Sequence, residues 1–424
     1  MDRFEHGARA RRALTSGALA LPGLAALSAF SSLVPEEAAA DAPVQETTAR
    51  YAFSFYKEDN LSPGKFVNAT GTGSRERYEI QAHQFSLLTP LTSRIDASAD
   101  LVFESMAGAS PWWVEENPNF ASTGQAFLQV MSGATIFEER FDGQLTVNHY
   151  FERGKATLSG GVSSEKDYLS GNVSFGAERS YNDKNTVHSF GIGYSWDTIT
   201  PTDGAVLHDR TLAAYLKNSL VLDTALSQVL TRRSLVQLAF AYKRSTGFLS
   251  DPYKRFRVVL TNETLPDSRP TERNQITMSA RYRHHVERLA GSVHADVAFH
   301  WDDWDVIGMS SELAWFQTLG PRFSIVPNLR YYSQSQASFY GPVFQSRTAL
   351  GTSDYRLSPY GALSYGLRGE ADLSDWPSRG WKWLLTLGAD RYTSRGELAL
   401  QTVRNESPGL VDYWLFSAQL GGRF

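Results

Sequence analysis

The side chains best suited to chemistry in this sequence are histidines and charged residues between positions 281 and 302. In an extended chain successive side chains point to opposite faces, so His294, Asp296 and His300 share one face. Arg283 and His285 face them if the chain turns back between the two segments. Histidines beside carboxylates can bind a transition metal or hold a proton-relay pair. The predicted cluster consists of Arg281, Arg283, His285, His294, Asp296, His300 and Asp302.

The alternative for this cluster is a polar wall in contact with water, and the rest of the sequence favours that interpretation. The chain has no nucleophile elbow, no phosphate-binding loop and no H-E-x-x-H motif. It also contains no cysteine. A formal net charge of −4, without a long basic stretch, disfavours nucleic-acid binding. We therefore expect no catalytic residues, no metal and no cofactor, and an enzyme is the least favoured hypothesis.

Two segments containing tryptophan have alternative interpretations. The acids of Trp301-Asp302-Asp303-Trp304-Asp305 either bind calcium or form a solvated turn between tryptophans at the membrane interface. The spacing is not that of an EF-hand, so we favour the turn. Trp112 and Trp113 either stack on a sugar, plug the mouth of the barrel, or belong to a loop that folds back on itself, and we favour the last interpretation.

The elements that must position these residues are β-strands. Apolar and polar residues alternate in at least eight segments after residue 41, and turn residues separate the segments. A strand of this kind suits hydrocarbon on one face and water on the other. The last segment shows the pattern best. Its apolar face carries Trp414, Phe416, Ala418, Leu420, Gly422 and Phe424.

The spacing of the segments predicts an all-β fold: a transmembrane, up-and-down antiparallel β-barrel of about sixteen strands, with fourteen to eighteen possible. Seven short turns and eight outer connections join the strands, and the connections near Lys166-Asp167 and Asp302-Asp303 must be short. A mean hydropathy of −0.32 agrees with a barrel, because only every second strand residue faces lipid. The alternative is a soluble β-sandwich. Aromatic residues at strand ends favour the barrel. The predicted interface residues are Trp196, Trp381, Trp383 and Trp414.

The N-terminus has the pattern of an export signal. Several arginines precede an apolar segment of small residues, Ala13 to Val34, and Ala38-Ala39-Ala40 offers a cleavage site. A permanent anchor helix is the alternative, but the prolines and glycines within the segment disfavour it. We expect a cleaved signal peptide at residues 1–40 and a barrel at residues 41–424, with both termini in the periplasm.

Two resemblances add to this interpretation. The ending that carries Trp414, Phe416, Leu420 and Phe424 resembles the assembly signal of Gram-negative outer-membrane proteins, which the barrel insertion machinery recognises. The body of the chain resembles the outer-membrane family called domain of unknown function 3570. The similar stretches include residues 103–111, 164–168, 182–186, 226–230 and 247–254. This resemblance implies a barrel in the bacterial outer membrane and brings no activity with it.

Three functions follow from these predictions, in descending order of preference. The first is a porin-like channel or transport protein of unknown substrate, since about sixteen strands enclose an aqueous lumen. The second is a filled barrel that docks periplasmic or surface partners. The third is a barrel enzyme. The expected partners are outer-membrane lipids and the barrel insertion machinery.

Overall fold

The structure is a computed structural model that describes residues 42–68, 75–132, 136–202, 214–374 and 382–424. The predicted signal peptide at residues 1–40 and the predicted interface residue Trp381 lie outside these ranges. Within them, no helix has the length and hydrophobicity needed to span a bilayer. The helical turns are Pro63–Lys65, Phe120–Thr123, Glu287–Leu289 and Tyr355–Leu357. In chain order the strands are β1 (Thr48–Glu58), β2 (Phe66–Asn68), β3 (Glu79–Thr92), β4 (Ile95–Gly108), β5 (Pro111–Glu116), β6 (Phe127–Met131), β7 (Ile136–Phe151), β8 (Gly154–Ser164), β9 (Tyr168–Tyr181), β10 (Thr186–Ile199), β11 (Tyr215–Thr231), β12 (Ser234–Gly247), β13 (Arg255–Val258), β14 (Glu263–Pro266), β15 (Glu272–Val286), β16 (Gly291–Asp302), β17 (Ile307–Leu319), β18 (Phe323–Gln334), β19 (Tyr360–Asp372), β20 (Lys382–Arg395) and β21 (Tyr413–Arg423).

Sixteen of these strands form one closed antiparallel barrel, which confirms the predicted fold and strand number. The first and last strands meet, and Ser54 of β1 pairs with Ser417 of β21. Closure pairs the backbone groups of every strand, as a hydrocarbon environment requires. The order around the barrel is β1-β21-β20-β19-β18-β17-β16-β15-β12-β11-β10-β9-β8-β7-β4-β3.

The connections differ between the two ends of the barrel, as the sequence indicated. Seven connections lie at the end where β1 begins and β21 ends, here named the turn end, and eight lie at the opposite, loop end. Asn182, Asp183 and Lys184 join β9 to β10 with φ angles of 51°, 50° and 70°. Asparagine and aspartate tolerate this left-handed conformation, which reverses the chain in few residues. The connections at 165–167 and 303–306 are the two short ones at the loop end.

The barrel wall has an apolar outer face and a polar inner face. On β10 the side chains of Phe190, Ile192 and Trp196 are exposed outside the barrel, whereas Gly191 and Gly193 between them are buried on the inner side. Apolar area left in water costs about 25 cal/mol per Å², and hydrocarbon removes this cost. The outer face is therefore suited to a lipid bilayer.

Three predicted interface tryptophans lie on this outer face near strand ends. Trp196 and Trp414 are at the loop end, and Trp383 is at the turn end, where it packs over Gly422. Phe416 and Leu420 of the predicted assembly segment are also exposed on this face. The backbone of Phe424 pairs with that of Thr47 beside β1 through two hydrogen bonds of 3.0 Å. The roles of these residues in membrane placement and assembly stay predictions.

The long loop-end connections contain further strands that the sequence did not predict. Strands β2, β6 and β5 form a three-stranded sheet, and β13 and β14 form a hairpin. The expectation that Trp304 lies at the membrane interface is wrong. Its side chain is 3% exposed, its indole N–H donates to the Glu272 carbonyl at 2.9 Å, and its ring packs against Phe339. Trp304 therefore helps to hold the loop-end connections together.

Candidate functional site

The predicted histidine cluster lies on the inner face of two neighbouring strands. Arg281, Arg283 and His285 are on β15, and the other four residues are on β16. The register places Arg281 opposite Asp296 and Arg283 opposite His294. Within the cluster, the Arg283 guanidinium pairs with the Asp296 carboxylate, with an Nη2–Oδ2 distance of 2.9 Å.

The three histidines and Asp302 have separate partners along the barrel wall. The His300 ring stacks on Tyr332, the His294 ring packs against Phe316, and His285 contacts Ser292. Asp302 holds a turn, because Oδ1 accepts the backbone N–H groups of Trp304 and Val306 at 3.0 and 2.9 Å. No group of three His, Asp or Glu side chains in the described part of the chain is arranged to hold a metal ion. The geometry therefore fits a polar wall better than a metal or proton-relay site.

The more distinctive feature is a set of loop-end connections that meet across the mouth of the barrel. Connection 109–135 and connection 248–271 are separated by the six strands from β7 to β12. Strands about 4.8 Å apart and tilted by about 40° make such a barrel about 30 Å across, so only an extended loop reaches the other side. Lys254 Nζ nevertheless donates to the Pro111 carbonyl at 3.0 Å. The packed segments, here named the cap, are residues 59–68, 75–78, 109–132, 248–271, 335–359 and 396–412.

Backbone and side-chain contacts join the cap segments to each other. Phe344 makes two 2.8 Å backbone hydrogen bonds to the β13 region, one with Arg257 and one with Val259. The Arg255 guanidinium lies over the rings of Trp112 and Trp113, at 5.6 and 5.4 Å from their centroids. The tryptophan loop therefore packs against another connection instead of folding only on itself.

A buried ion cluster lies within the cap and contains three acids and three bases. The carboxylate of Asp354 is its centre, with a side chain that is 0% exposed. It accepts from Arg269 Nη2 at 2.9 Å and from Arg356 Nη2 at 2.6 Å, and Lys254 Nζ is 4.0 Å away. Burial alone would raise the pKa of Asp354, but attraction to Arg356, Lys254 and Arg269 outweighs it and holds that pKa well below its usual range. The cluster consists of Asp251, Lys254, Asp267, Arg269, Asp354 and Arg356.

A second buried pair lies where the cap meets β1. The Arg77 Nε donates to Glu58 at 2.5 Å, and both side chains are almost completely buried. Tyr56 donates its hydroxyl hydrogen to the same carboxylate at 2.7 Å. The guanidinium of Arg77 lies 5.4 Å from the centroid of the Tyr355 ring, which also lies 5.8 Å from Lys254 Nζ. Tyr355 thus joins three cap segments at their meeting point.

The cap was not predicted from the sequence. The indication in the sequence was the concentration of charged and aromatic residues in residues 248–272. Such residues are equally common in solvated loops, so composition alone does not indicate that two loops meet.

The fold and this site define the class: a closed sixteen-strand barrel of the membrane type whose loop end is covered by packed connections. The chain belongs to the family described as Protein of unknown function (DUF3570), whose model matches residues 11–404. No curated protein matches the chain.

Solved barrels show only distant similarity to the chain. The polysaccharide outer-membrane secretin has 10% identity and a TM-score of 0.43, with 89% of this chain and 98% of that chain covered. The OccD3 (OpdP) structure from Pseudomonas aeruginosa has 7% identity, a TM-score of 0.43 and coverages of 91% and 94%. The siderophore receptor PirA from Pseudomonas aeruginosa has 11% identity and a TM-score of 0.40. The match covers 81% of this chain and only 56% of the receptor. At these values the similarities carry no argument about function.

Proposed function

We propose that the protein is a solute channel of the bacterial outer membrane whose loop end is closed by the cap in the conformation described. The loop end then faces the outside and the turn end faces the periplasm. Outer-membrane lipids contact the apolar outer face, and the barrel insertion machinery assembles the chain. We propose no catalytic role.

The observation that carries this proposal is the exposure of charged groups on the inner side of the wall. The side chains of Asp296, Asp142 and Lys217 are 34%, 32% and 28% exposed, although all three point inward. The outer face beside them is apolar, so the water they contact is in the lumen. A barrel filled with side chains would bury these ion-paired groups away from water. The polar lumen supports a path for water and small solutes.

The cap supports control of this path. Its segments come from opposite sides of the mouth and bury an ion cluster between them, so opening requires several connections to separate together. A channel of this kind conducts little while the cap is closed and more when the cap is weakened.

The test is conductance of the purified full chain in planar lipid bilayers. One variant replaces the hairpin Arg255–Pro266 by a short Gly-Ser linker, which removes Arg255 and the backbone pairing with Phe344. The matched control is Arg347→Gln, which removes an exposed ion pair with Glu263 in the same region. We expect larger and more frequent openings for the hairpin variant and wild-type behaviour for the control. Equal, negligible conductance in all three folded proteins would contradict the proposal.

The second candidate is a docking barrel, and the extensive packing of the cap favours it. A cap fixed by buried ion pairs presents a constant surface to a partner. This function predicts that removing the hairpin leaves the folded barrel non-conducting, so the same recordings distinguish the two candidates.

A further inference from the structure

Below the cap, five inward-facing tyrosines follow each other along the barrel wall. They lie one to a strand on β18, β19, β20, β21 and β1, near the loop end. The ring centroids of Tyr332 and Tyr360 are 5.7 Å apart, those of Tyr392 and Tyr413 are 4.5 Å apart, and those of Tyr413 and Tyr56 are 4.6 Å apart. Tyr360 of β19 and Tyr392 of the neighbouring strand β20 interact electrostatically. These residues, here named the tyrosine belt, are Tyr56, Tyr332, Tyr360, Tyr392 and Tyr413.

The belt offers aromatic surface to the lumen. Tyr56 is fully buried, but the other four rings are only partly buried. Partly exposed aromatic surface facing water is unfavourable unless something covers it, and flat rings with an apolar face cover it well. The belt is therefore a surface on which a ring-shaped solute can stack.

Arg330 of β18 provides a cation beside this surface. It lies two residues before Tyr332 and close enough to Tyr332, Tyr360 and Tyr413 to interact with them electrostatically. Arg330 points inward, is exposed to the lumen and makes no hydrogen bond or ion pair with any described residue.

Two inward-facing lysines, by contrast, have protein partners. Lys155 pairs with Glu178 at 3.1 Å, and Lys217 pairs with Asp197 at 2.9 Å. The guanidinium of Arg330 thus keeps its planar set of donors available for a ligand, and that set matches the two oxygens of a carboxylate.

Strands β8 to β10 lie across the barrel from the belt and carry mostly small inward-facing side chains. Their lumen-facing residues include Ser159, Gly161, Ser163, Ser174, Gly176, Ser189, Gly191 and Gly193.

Nearby acids limit the charge of the ligand. Glu312 lies opposite Arg330 in the strand register, and the Asp390 carboxylate accepts from Asn328 at 3.2 Å on the same wall. Two carboxylates near one free arginine disfavour a multiply charged anion such as a phosphate. A single carboxylate attached to a ring fits this arrangement better.

We infer that the tyrosine belt and Arg330 form a binding site for small monocarboxylates that carry a flat ring face, such as an aromatic acid or a sugar acid. This inference rests on the proposed channel and names the chemical class of its solute. The ring stacks on Tyr360, Tyr392 and Tyr413, and Arg330 donates two parallel hydrogen bonds to the carboxylate.

The experiment is titration calorimetry on the folded full chain in detergent micelles. Benzoate and glucuronate are the two ringed acids, acetate is the acid without a ring, and benzyl alcohol and glucose are the neutral ringed probes. Arg330→Gln removes the cation, Arg330→Lys keeps the charge without the planar set of donors, and Tyr392→Leu removes one ring. Arg281→Gln is the matched control, since Arg281 is another inward arginine that makes no hydrogen bond or ion pair within the described part of the chain, three strands away from Arg330.

We expect benzoate or glucuronate to bind, and the better of the two identifies the solute class. Acetate and the neutral probes should bind at least about tenfold more weakly, because each lacks one of the two contacts. Arg330→Gln should weaken binding of the ringed acid by about tenfold or more. Arg330→Lys should weaken it by less, and Arg281→Gln by no more than about twofold. Tyr392→Leu should weaken the binding of the ringed probes but not that of acetate.

Two results would overturn the inference: no binding of either ringed acid to the wild-type chain, or equal losses in Arg330→Gln and Arg281→Gln. Calorimetry needs no current through the barrel. The binding-site inference can therefore be refuted without refuting the channel proposal, and the channel proposal can be refuted without refuting the binding site.

Discussion

Replacing the central acid of the cap should open the barrel. Asp354→Asn keeps the size of the side chain and removes the negative charge that Arg269 and Arg356 share. The cluster of three acids and three bases then carries one uncompensated positive charge in a buried place. Removing one partner of a buried ion pair costs about 3–5 kcal/mol.

This free-energy cost destabilises the closed cap relative to the open one, because the same bases are solvated when the segments separate. Since about 1.4 kcal/mol corresponds to a tenfold change in an equilibrium constant, the ratio of open to closed cap should rise by about a hundredfold to a few thousandfold. The direct measurement is open probability in planar bilayers at neutral pH. Limited trypsin digestion gives a second measurement, because an open cap exposes Lys254, Arg269 and Arg356.

Two further variants separate loss of charge balance from general damage. Asp354→Asn combined with Arg356→Gln restores equal numbers of acids and bases, and we expect it to recover part of the closed state. Glu263→Gln removes an exposed acid of the cap and should behave as wild type. The reasoning is refuted if Asp354→Asn folds into a detergent-resistant barrel yet conducts and resists trypsin as the wild-type chain does.

Three other predictions concern the cap and its attachment. Burial raises the pKa of Tyr78 and of Tyr340 to about 12. Their contribution to the stability of the cap, about 3 kcal/mol for Tyr340, is therefore present below pH 10 and should be lost as the pH rises towards 12. Trypsin sensitivity measured across this range tests whether stability falls with rising pH. Gly108→Ala should destabilise the end of β4 by about 1–3 kcal/mol, because the glycine has a φ angle of 145° and a Cβ there would lie 2.6 Å from a backbone oxygen. The control is Gly369→Ala, whose Cβ meets no neighbour within 4 Å. The Gly108 variant should therefore unfold at a lower temperature in detergent than the Gly369 variant. Lys254→Met should raise open probability less than Asp354→Asn does, because Asp354 still accepts from Arg269 and Arg356 when the hydrogen bond across the mouth is lost, and an equal or larger effect would contradict this order.

The period-two pattern was sufficient to predict the barrel, because the alternation of apolar and polar residues within each strand shows which side faces lipid. Trp414, Phe416 and Leu420 alternate with polar residues regardless of what lies beyond β21, and pairing the short turns with the outer connections predicted about sixteen strands. The same rule placed His294, Asp296 and His300 on the inner face of one strand. Turn lengths separated the two ends of the barrel, because antiparallel neighbours at the turn end need only a few residues to reverse direction.

The cap and the partners of the inner-wall residues were decided by tertiary structure. Asp354 and Arg269 are 85 positions apart, and Lys254 meets Pro111 across the mouth, so no local pattern connects them. Alternation shows that His294 and His300 face inward, but it does not show that Phe316 and Tyr332 contact them from β17 and β18. Local sequence determined which way each side chain points, because that depends on the geometry of a single strand. Closure of the barrel decided which side chains meet, because only the ring of strands brings opposite loops and separate faces within reach of each other.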